Sequence, residues 1–137
     1  MPKTPLTLQQ AWRSNVPAVK RALMEGENRG LIAAAQILVN AVKLGLRGGY
    51  TSGAFTTGLS SNSVTHSPPI LGPRGMFILV GTNLPYNLFW EVGHYNLFTR
   101  RYERVPVWMP AFQRSQGTMR AAFTAQVVTA LEAVPKL

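Results

Sequence analysis

Residues 31–46 read LIAAAQILVNAVKLGL, and this stretch decides the fold class. Its alanine-rich sequence has a high helix propensity, and Gly48 and Gly49 follow as a C-terminal stop. Apolar residues recur in it at intervals of three and four, which places them on one face of an α-helix. The residues on this face are Leu31, Ala35, Leu38, Val42 and Leu46. The sequence therefore predicts a long amphipathic helix here.

The same spacing occurs upstream and predicts an N-terminal helical segment within residues 1–24. Its apolar positions are Leu8, Trp12, Val16, Val19 and Leu23. Pro17 lacks the N–H that a helix interior requires, so the helix could instead begin near Asn15, with Asn15 as its cap. The sequence leaves this boundary open and predicts two separate helices before residue 48.

Residues 48–75 are rich in Gly, Ser and Thr and then contain Pro68, Pro69 and Pro73. This composition predicts a long extended loop around one short strand at residues 61–66, and long loops are usually functional or ordered by a partner. Residues 76–80, MFILV, are apolar and β-prone, which predicts a buried strand. We expect the two strands to pair as a hairpin with a wide proline-rich turn.

Two further helices are predicted downstream. Pro85 can start a short helix that ends at Gly93. After Pro110, apolar residues again recur at helical spacing and predict a C-terminal helix within residues 108–134. Residues 95–107 show no clear period. The chain is thus predicted to be a single α+β domain spanning residues 1–137, with long N-terminal helices and a C-terminal helix packed on a small antiparallel sheet.

The composition indicates a surface that other chains cover. Of the 137 residues, 46% are hydrophobic and only 14% are charged, against about 25% charged residues in an average soluble protein. Apolar surface that few charges interrupt is typical of interaction sites. The aromatic residues Tyr86, Phe89, Trp90, Trp108 and Phe112 are expected in the core, with one or two of them at an interface.

The charge is strongly basic, with 14 Lys and Arg against 5 Glu and a net charge of +9. Such a chain attracts nucleic acid through its phosphates. Arg100, Arg101 and Arg104 flank Tyr102, so these arginines are candidates for contact with DNA or a neighbouring subunit. A solvated loop remains the alternative reading of this segment.

The residue inventory argues against catalysis. The chain has no cysteine and no aspartate, which excludes thiolate nucleophiles and zinc–thiolate sites and weakens any carboxylate pair. Glu91 and His94 could both reach one metal on an unbroken helix, but Gly93 is expected to end that helix. The serines at residues 60–63 lack a Gly-x-Ser-x-Gly elbow. We expect no enzyme activity, catalytic residue, cofactor or metal.

No membrane segment is expected either. Residues 31–46 are interrupted by Gln36, Asn40 and Lys43 and are shorter than the roughly 20 residues that a span requires. The N-terminus lacks the pattern of a secretory signal. We therefore expect a protein made in the cytoplasm without a membrane partner.

A series of short motifs from residue 80 onward resembles the neck proteins of tailed bacteriophages, also described as tail-completion, head–tail joining or minor capsid proteins. The resemblance lies in the order and spacing of Val80-Gly81-Thr82, Tyr86, Glu91-Val92-Gly93-His94, Val105-Pro106 and Pro110-Ala111-Phe112. Thr57-Gly58 and Ser63-Val64 fit an upstream signature, although Leu59 and Ser60 are shifted and residues 52–55 offer another register. The arginine segment at residues 99–104 departs from the family pattern.

This resemblance implies a structural virion protein that forms a ring in the phage neck, with genomic DNA passing through the lumen. It implies a homo-oligomer, with sixfold symmetry favoured and twelvefold possible, between the head-side portal or adaptor and the tail-terminator or tail-tube proteins. Tyr86, Trp90, Glu91, Gly93, His94 and Pro110 would be structural residues of the shared motif. The family has no known catalytic residue or cofactor.

Under this hypothesis, partner contacts are expected in two segments. One is the loop at residues 50–73, and the other is residues 94–104. The loop residues predicted to contact partners are Tyr50, Thr51, Phe55, Thr57, Pro68 and Pro69. The competing hypothesis is a small basic module that binds DNA without sequence preference.

Overall fold

The computed structural model describes residues 8–48 and 59–135. This part of the chain has an α+β fold, which confirms the predicted class. Its helices are α1 (Leu8–Gly48), α2 (Leu59–Ser63), α3 (Tyr86–Val92) and α4 (Trp108–Glu132). Its strands are β1 (Thr65–His66), β2 (Ile70–Gly72), β3 (Gly75–Phe77), β4 (Val80–Gly81), β5 (His94–Asn96) and β6 (Arg101–Glu103).

The two predicted N-terminal helices are one helix. α1 runs for 41 residues without a break, or about 60 Å at 1.5 Å per residue. Pro17 lies inside it rather than at its start, so the boundary proposed near Asn15 is wrong. A proline removes one backbone hydrogen bond, whereas ending the helix there would lose every bond of the two turns before it.

Two glycines in α1 allow close packing against α4. A Cβ atom on Gly26 would lie 2.9 Å from Cα of Val127, and one on Gly30 would lie 3.0 Å from the carbonyl oxygen of Phe123. At the other end of the pair, Gly45 faces Val107. The numbering rises along α1 as it falls along α4, so the two helices run antiparallel. This pairing provides most of the contacts between elements.

The core lies where the end of α1 meets the start of α4. Its buried residues are Val39, Val42, Leu46, Val64, Val107 and Ala111, with Trp90 and Trp108 packed at its edge. Trp90 and Trp108 thus pack against the core as the sequence predicted, while the side chains of Tyr86 and Phe89 lie outside the described residues. Phe112 was predicted in the core, yet it is exposed on α4.

The predicted hairpin is confirmed in its pairing and corrected in its detail. Residues 65–66 pair with residues 80–81, so the chain does fold back as expected. Residues 59–63, however, form α2, whose Ser60 and Ser61 are buried. The expected open turn contains a second ladder, β2–β3, with a tight turn at residues 73–74. Phe77 and Leu79 are exposed, so this strand is not the buried one that its composition predicted.

The C-terminal half follows the prediction except at one hairpin. α3 and α4 lie where the sequence placed them, and Pro110 occupies the first turn of α4, where its missing N–H costs nothing. Residues 94–103, which showed no period, form the antiparallel hairpin β5–β6. Strands of three residues are too short to reveal an alternating pattern.

By length and composition alone, the segment Asn15–Arg47 of α1 could cross a membrane. The sequence prediction considered only residues 31–46 and expected no such segment. The core helix of a soluble protein satisfies the same criteria, and Val39, Val42 and Leu46 of this helix are buried in the core. The absence of a membrane partner therefore stays a prediction.

Candidate functional site

Glu91 joins the end of α3 to the start of α4. Its Oε2 accepts hydrogen bonds from the backbone N–H groups of Val107 (2.7 Å) and Trp108 (2.9 Å), and its Oε1 accepts one from Met109 (2.8 Å). The first N–H groups of a helix have no partners within the helix, and the helix dipole favours an anion there. Glu91 therefore caps α4 from a distance of 16 residues or more in sequence.

The segment formed by β6 and the residues after it caps α3 in return. Three successive carbonyl oxygens at the end of α3 accept hydrogen bonds from this segment. Tyr102 Oη donates to Val92 (2.5 Å), Arg104 Nε donates to Glu91 (2.9 Å), and the Val105 N–H donates to Trp90 (3.0 Å). A guanidinium is well suited to the negative end of a helix. Together with Glu91, these bonds form the α3–α4 junction.

Gly93 and His94 shape the turn out of α3. Gly93 has φ 91°, a backbone conformation that suits glycine, and a Cβ atom there would collide with the Tyr102 ring. His94 packs edge-on against Trp90, with ring centroids 4.8 Å apart, and its Nε2 lies 3.7 Å from Glu103 Oε2. Gly93 therefore ends α3 as predicted. The side chains of Glu91 and His94 contact different parts of the molecule, Glu91 the start of α4 and His94 the strand β6.

The positions of Glu91 and His94 show whether the two side chains could bind one metal ion together. Glu91 is occupied by three backbone N–H groups, and His94 faces Glu103 and Trp90. In the described residues, no three side chains of metal-ligating type come together. Of the motif residues, Glu91 thus joins α3 to α4, while Gly93 and His94 pack against β6.

The three candidate arginines have different positions. Arg104 is bound to the end of α3, so its guanidinium belongs to the junction. Arg100 and Arg101 are exposed on the β5–β6 hairpin, at its turn and at the start of β6. Arg100 has φ 56°, the left-handed conformation that closes this turn. The structure thus leaves Arg100 and Arg101 available for an outside contact.

Two hairpins present large apolar side chains to solvent. On β2–β3 and just after it these are Leu71, Phe77 and Leu79, and at the turn of β5–β6 they are Leu97 and Phe98. Large apolar surfaces that are left in water are typical of interaction sites. We call these side chains the apolar hairpin residues.

The predicted loop contacts are placed only in part. Tyr50, Thr51, Phe55 and Thr57 lie outside the described residues, as does the side chain of Tyr86. Pro68 is exposed and Pro69 half-buried in the connection between β1 and β2. This connection leads directly into the apolar hairpin residues of β2–β3.

An open pocket of about 240 Å³ lies beside the α3–α4 junction. Its lining is mainly apolar and comes from β4, α3 and the start of α4. The lining residues are Val80, Gly81, Thr82, Asn87, Leu88, Glu91 and Trp108. The buried side chain of Asn87 lies in its wall, and its Oδ1 has no hydrogen-bond partner.

Reasoning from the sequence missed the capping role of Glu91, the glycines that face α4 and the apolar hairpin residues. One feature of the sequence does indicate that α4 is capped by a distant residue. The helix begins without a Ser, Thr, Asp or Asn cap and without an acid in its first turn. The sequence therefore shows that α4 needs an outside partner. It does not show that Glu91 provides it.

Comparison with known proteins gives no further guide to function. No protein-family model, curated protein or solved structure matches this chain.

Proposed function

We propose that this protein is a structural subunit of the neck of a tailed bacteriophage, which assembles into a ring between head and tail. The resemblance at residues 80–112 supports the proposal, because the residues that carry it have a coherent role. Glu91, Gly93 and Pro110 all belong to the α3–α4 junction or its immediate ends. A role of this kind supports a scaffold rather than a reaction.

The observation that carries the proposal is the exposure of the apolar hairpin residues on a chain with few charges. Phe98 is 99% exposed and Leu71 is 78% exposed. Leaving such side chains in water costs about 1.5–3 kcal/mol each relative to burial. A subunit that docks onto neighbours regains this free energy on assembly, as a neck protein does.

Passage of DNA through the ring gives the basic charge a role. Arg100 and Arg101 are free to meet phosphates, and contacts to phosphate hold DNA without reading its sequence. Their small number suits a channel through which DNA must move. No catalytic step or cofactor is part of this function.

Electron microscopy of phage lysates tests the proposal. A stop codon early in this gene, in the phage that encodes it, should yield DNA-filled heads beside separate, finished tails. Expression of the intact gene from a plasmid should restore joined particles. Normal joined particles from the stop-codon phage would disprove a joining role.

A basic module that binds DNA without sequence preference is the second candidate, and the exposure of Arg100 and Arg101 favours it. Such a module should lose affinity steeply as salt rises, because each neutralised phosphate adds about −0.9 to the slope of log K against log salt. Fluorescence anisotropy with labelled duplex DNA measures this slope. A neck subunit should bind free DNA weakly at every salt concentration, whereas tight binding with a slope of several phosphates would favour the module.

A further inference from the structure

The turn of the β5–β6 hairpin carries the most exposed apolar side chains in the described part of the chain. Phe98 is 99% exposed and Leu97 is 81% exposed, and Arg100 and Arg101 follow them. Burial of a phenylalanine is worth about 1.5–3 kcal/mol, so such a side chain at a turn is expensive unless something covers it. We call residues 97–100 the hairpin tip.

The hairpin tip is ordered by its own hydrogen bonds. Asn96 Oδ1 accepts hydrogen bonds from the N–H groups of Phe98 (2.9 Å) and Thr99 (3.3 Å). Glu103 accepts hydrogen bonds from Asn96 Nδ2 and Thr99 Oγ1, each at 3.2 Å. A tip held in this way loses little conformational entropy on binding, which favours affinity.

The pocket beside the α3–α4 junction has the size and chemistry to receive such a tip. Its volume is about 240 Å³, and an apolar cavity of roughly 150 Å³ is enough to hold benzene. Leu88 and Trp108 offer apolar walls for a ring. Phe98 cannot be in the pocket of its own chain, because it is almost fully exposed.

The charge of the pocket also fits the hairpin tip. The charged residue of the lining is the acid Glu91, whereas the tip ends in Arg100. Opposite charges on the two surfaces favour their encounter in the right orientation.

We propose that the hairpin tip of one copy inserts Phe98 into the pocket of the next copy. Tip and pocket are different surfaces of one chain, so the contact is head-to-tail and repeats around a closed ring or along a filament. Its place in a phage ring rests on the function proposed above. The contact itself concerns only two copies of this chain and is testable with purified protein.

Disulfide cross-linking tests the contact directly, since the chain has no cysteine of its own. Leu97→Cys places a thiol on the tip, and Leu88→Cys places one at the pocket of a second chain. An oxidised mixture of the two variants should give a mixed dimer at a yield several times that of either variant alone. Leu97→Cys mixed with Met24→Cys is the matched control, because Met24 is exposed near the opposite end of the α1–α4 pair. Equal yields in the two mixtures would overturn the proposal.

Sedimentation equilibrium of Phe98→Ser gives a second readout. Loss of the ring should weaken self-association by about tenfold or more. Leu44→Ser removes a leucine that is 70% exposed on α1, outside both hairpins and the lining of the pocket, and should leave the association unchanged. Association that survives in Phe98→Ser would contradict the proposal.

The two proposals can fail separately. If the tip and the pocket cross-link but the stop-codon phage still makes joined particles, the contact between copies stands and the neck function is disproved. If the stop-codon phage makes separate heads and tails but cross-linking does not exceed the control, the neck function stands and the contact between copies is disproved.

Discussion

Replacing Glu91 with glutamine should lower the free energy of unfolding by about 2–4 kcal/mol. The carboxylate accepts hydrogen bonds from three backbone N–H groups at the start of α4. Glutamine has a single acceptor oxygen, and its NH₂ group would face N–H groups that also need acceptors. The negative charge that complements the helix dipole is lost as well. Thermal unfolding followed by circular dichroism should show a melting temperature lower by roughly 10 °C.

Glu132→Gln is the matched control for this prediction. It makes the same chemical change at the last residue of the same helix, where a negative charge opposes the dipole. We expect its stability to be unchanged or slightly higher. If Glu91→Gln unfolded within about 0.5 kcal/mol of the wild type, the capping role of Glu91 would be refuted.

Replacing Gly30 with valine should be more damaging and leave the chain largely unfolded. Even alanine would place its Cβ 2.6 Å from Cδ2 and 3.0 Å from the carbonyl oxygen of Phe123. The phenyl ring can turn away, but the backbone of α4 cannot. We expect Gly30→Ala to cost about 1–3 kcal/mol, despite the gain of nearly 1 kcal/mol that alanine normally brings to a helix. Chemical denaturation monitored by tryptophan fluorescence measures both variants.

Gly117→Ala separates the contact from the helix propensity. Gly117 lies inside α4, and a Cβ atom there would meet nothing within 4 Å. This variant should gain about 0.5–1 kcal/mol. A Gly30→Ala variant that gained as much would show that the helices do not pack closely at this position.

The helices α1, α3 and α4 could be predicted, at least in part, because each carries its own signal in the sequence, whereas α2 was missed. Helical spacing placed α4, a proline and a glycine bounded α3, and Gly48 ended α1. The continuity of α1 was missed because proline usually breaks a helix. Whether the helix continues through Pro17 depends on the free energy of the backbone hydrogen bonds before and after it, which the local sequence does not show. Gly26 and Gly30 drew no prediction, since the helix that makes them necessary lies about 100 residues away in the sequence.

The sequence indicated the residues of the α3–α4 junction as a motif but not the contacts that they make. Tyr86, Trp90 and Glu91 were expected to be structural residues of the shared motif, and the structure shows that Glu91 holds the start of α4. Spacing along the chain could not indicate this, because the bond joins residues on two elements that the β5–β6 hairpin separates. The exposure of Phe98 was equally hidden, since exposure depends on where the rest of the chain lies.

The antiparallel pairing of α1 and α4 has a consequence during synthesis. Gly26 meets Ala130, and a ribosome that adds about 5–20 residues per second needs roughly 5–20 s to make the chain between them. Glu91 is synthesised before α4, so the residue that caps this helix is already present when α4 leaves the ribosome. For that interval the apolar face of α1 has no helix to cover it, and the nascent chain is most exposed to aggregation or to capture by a chaperone.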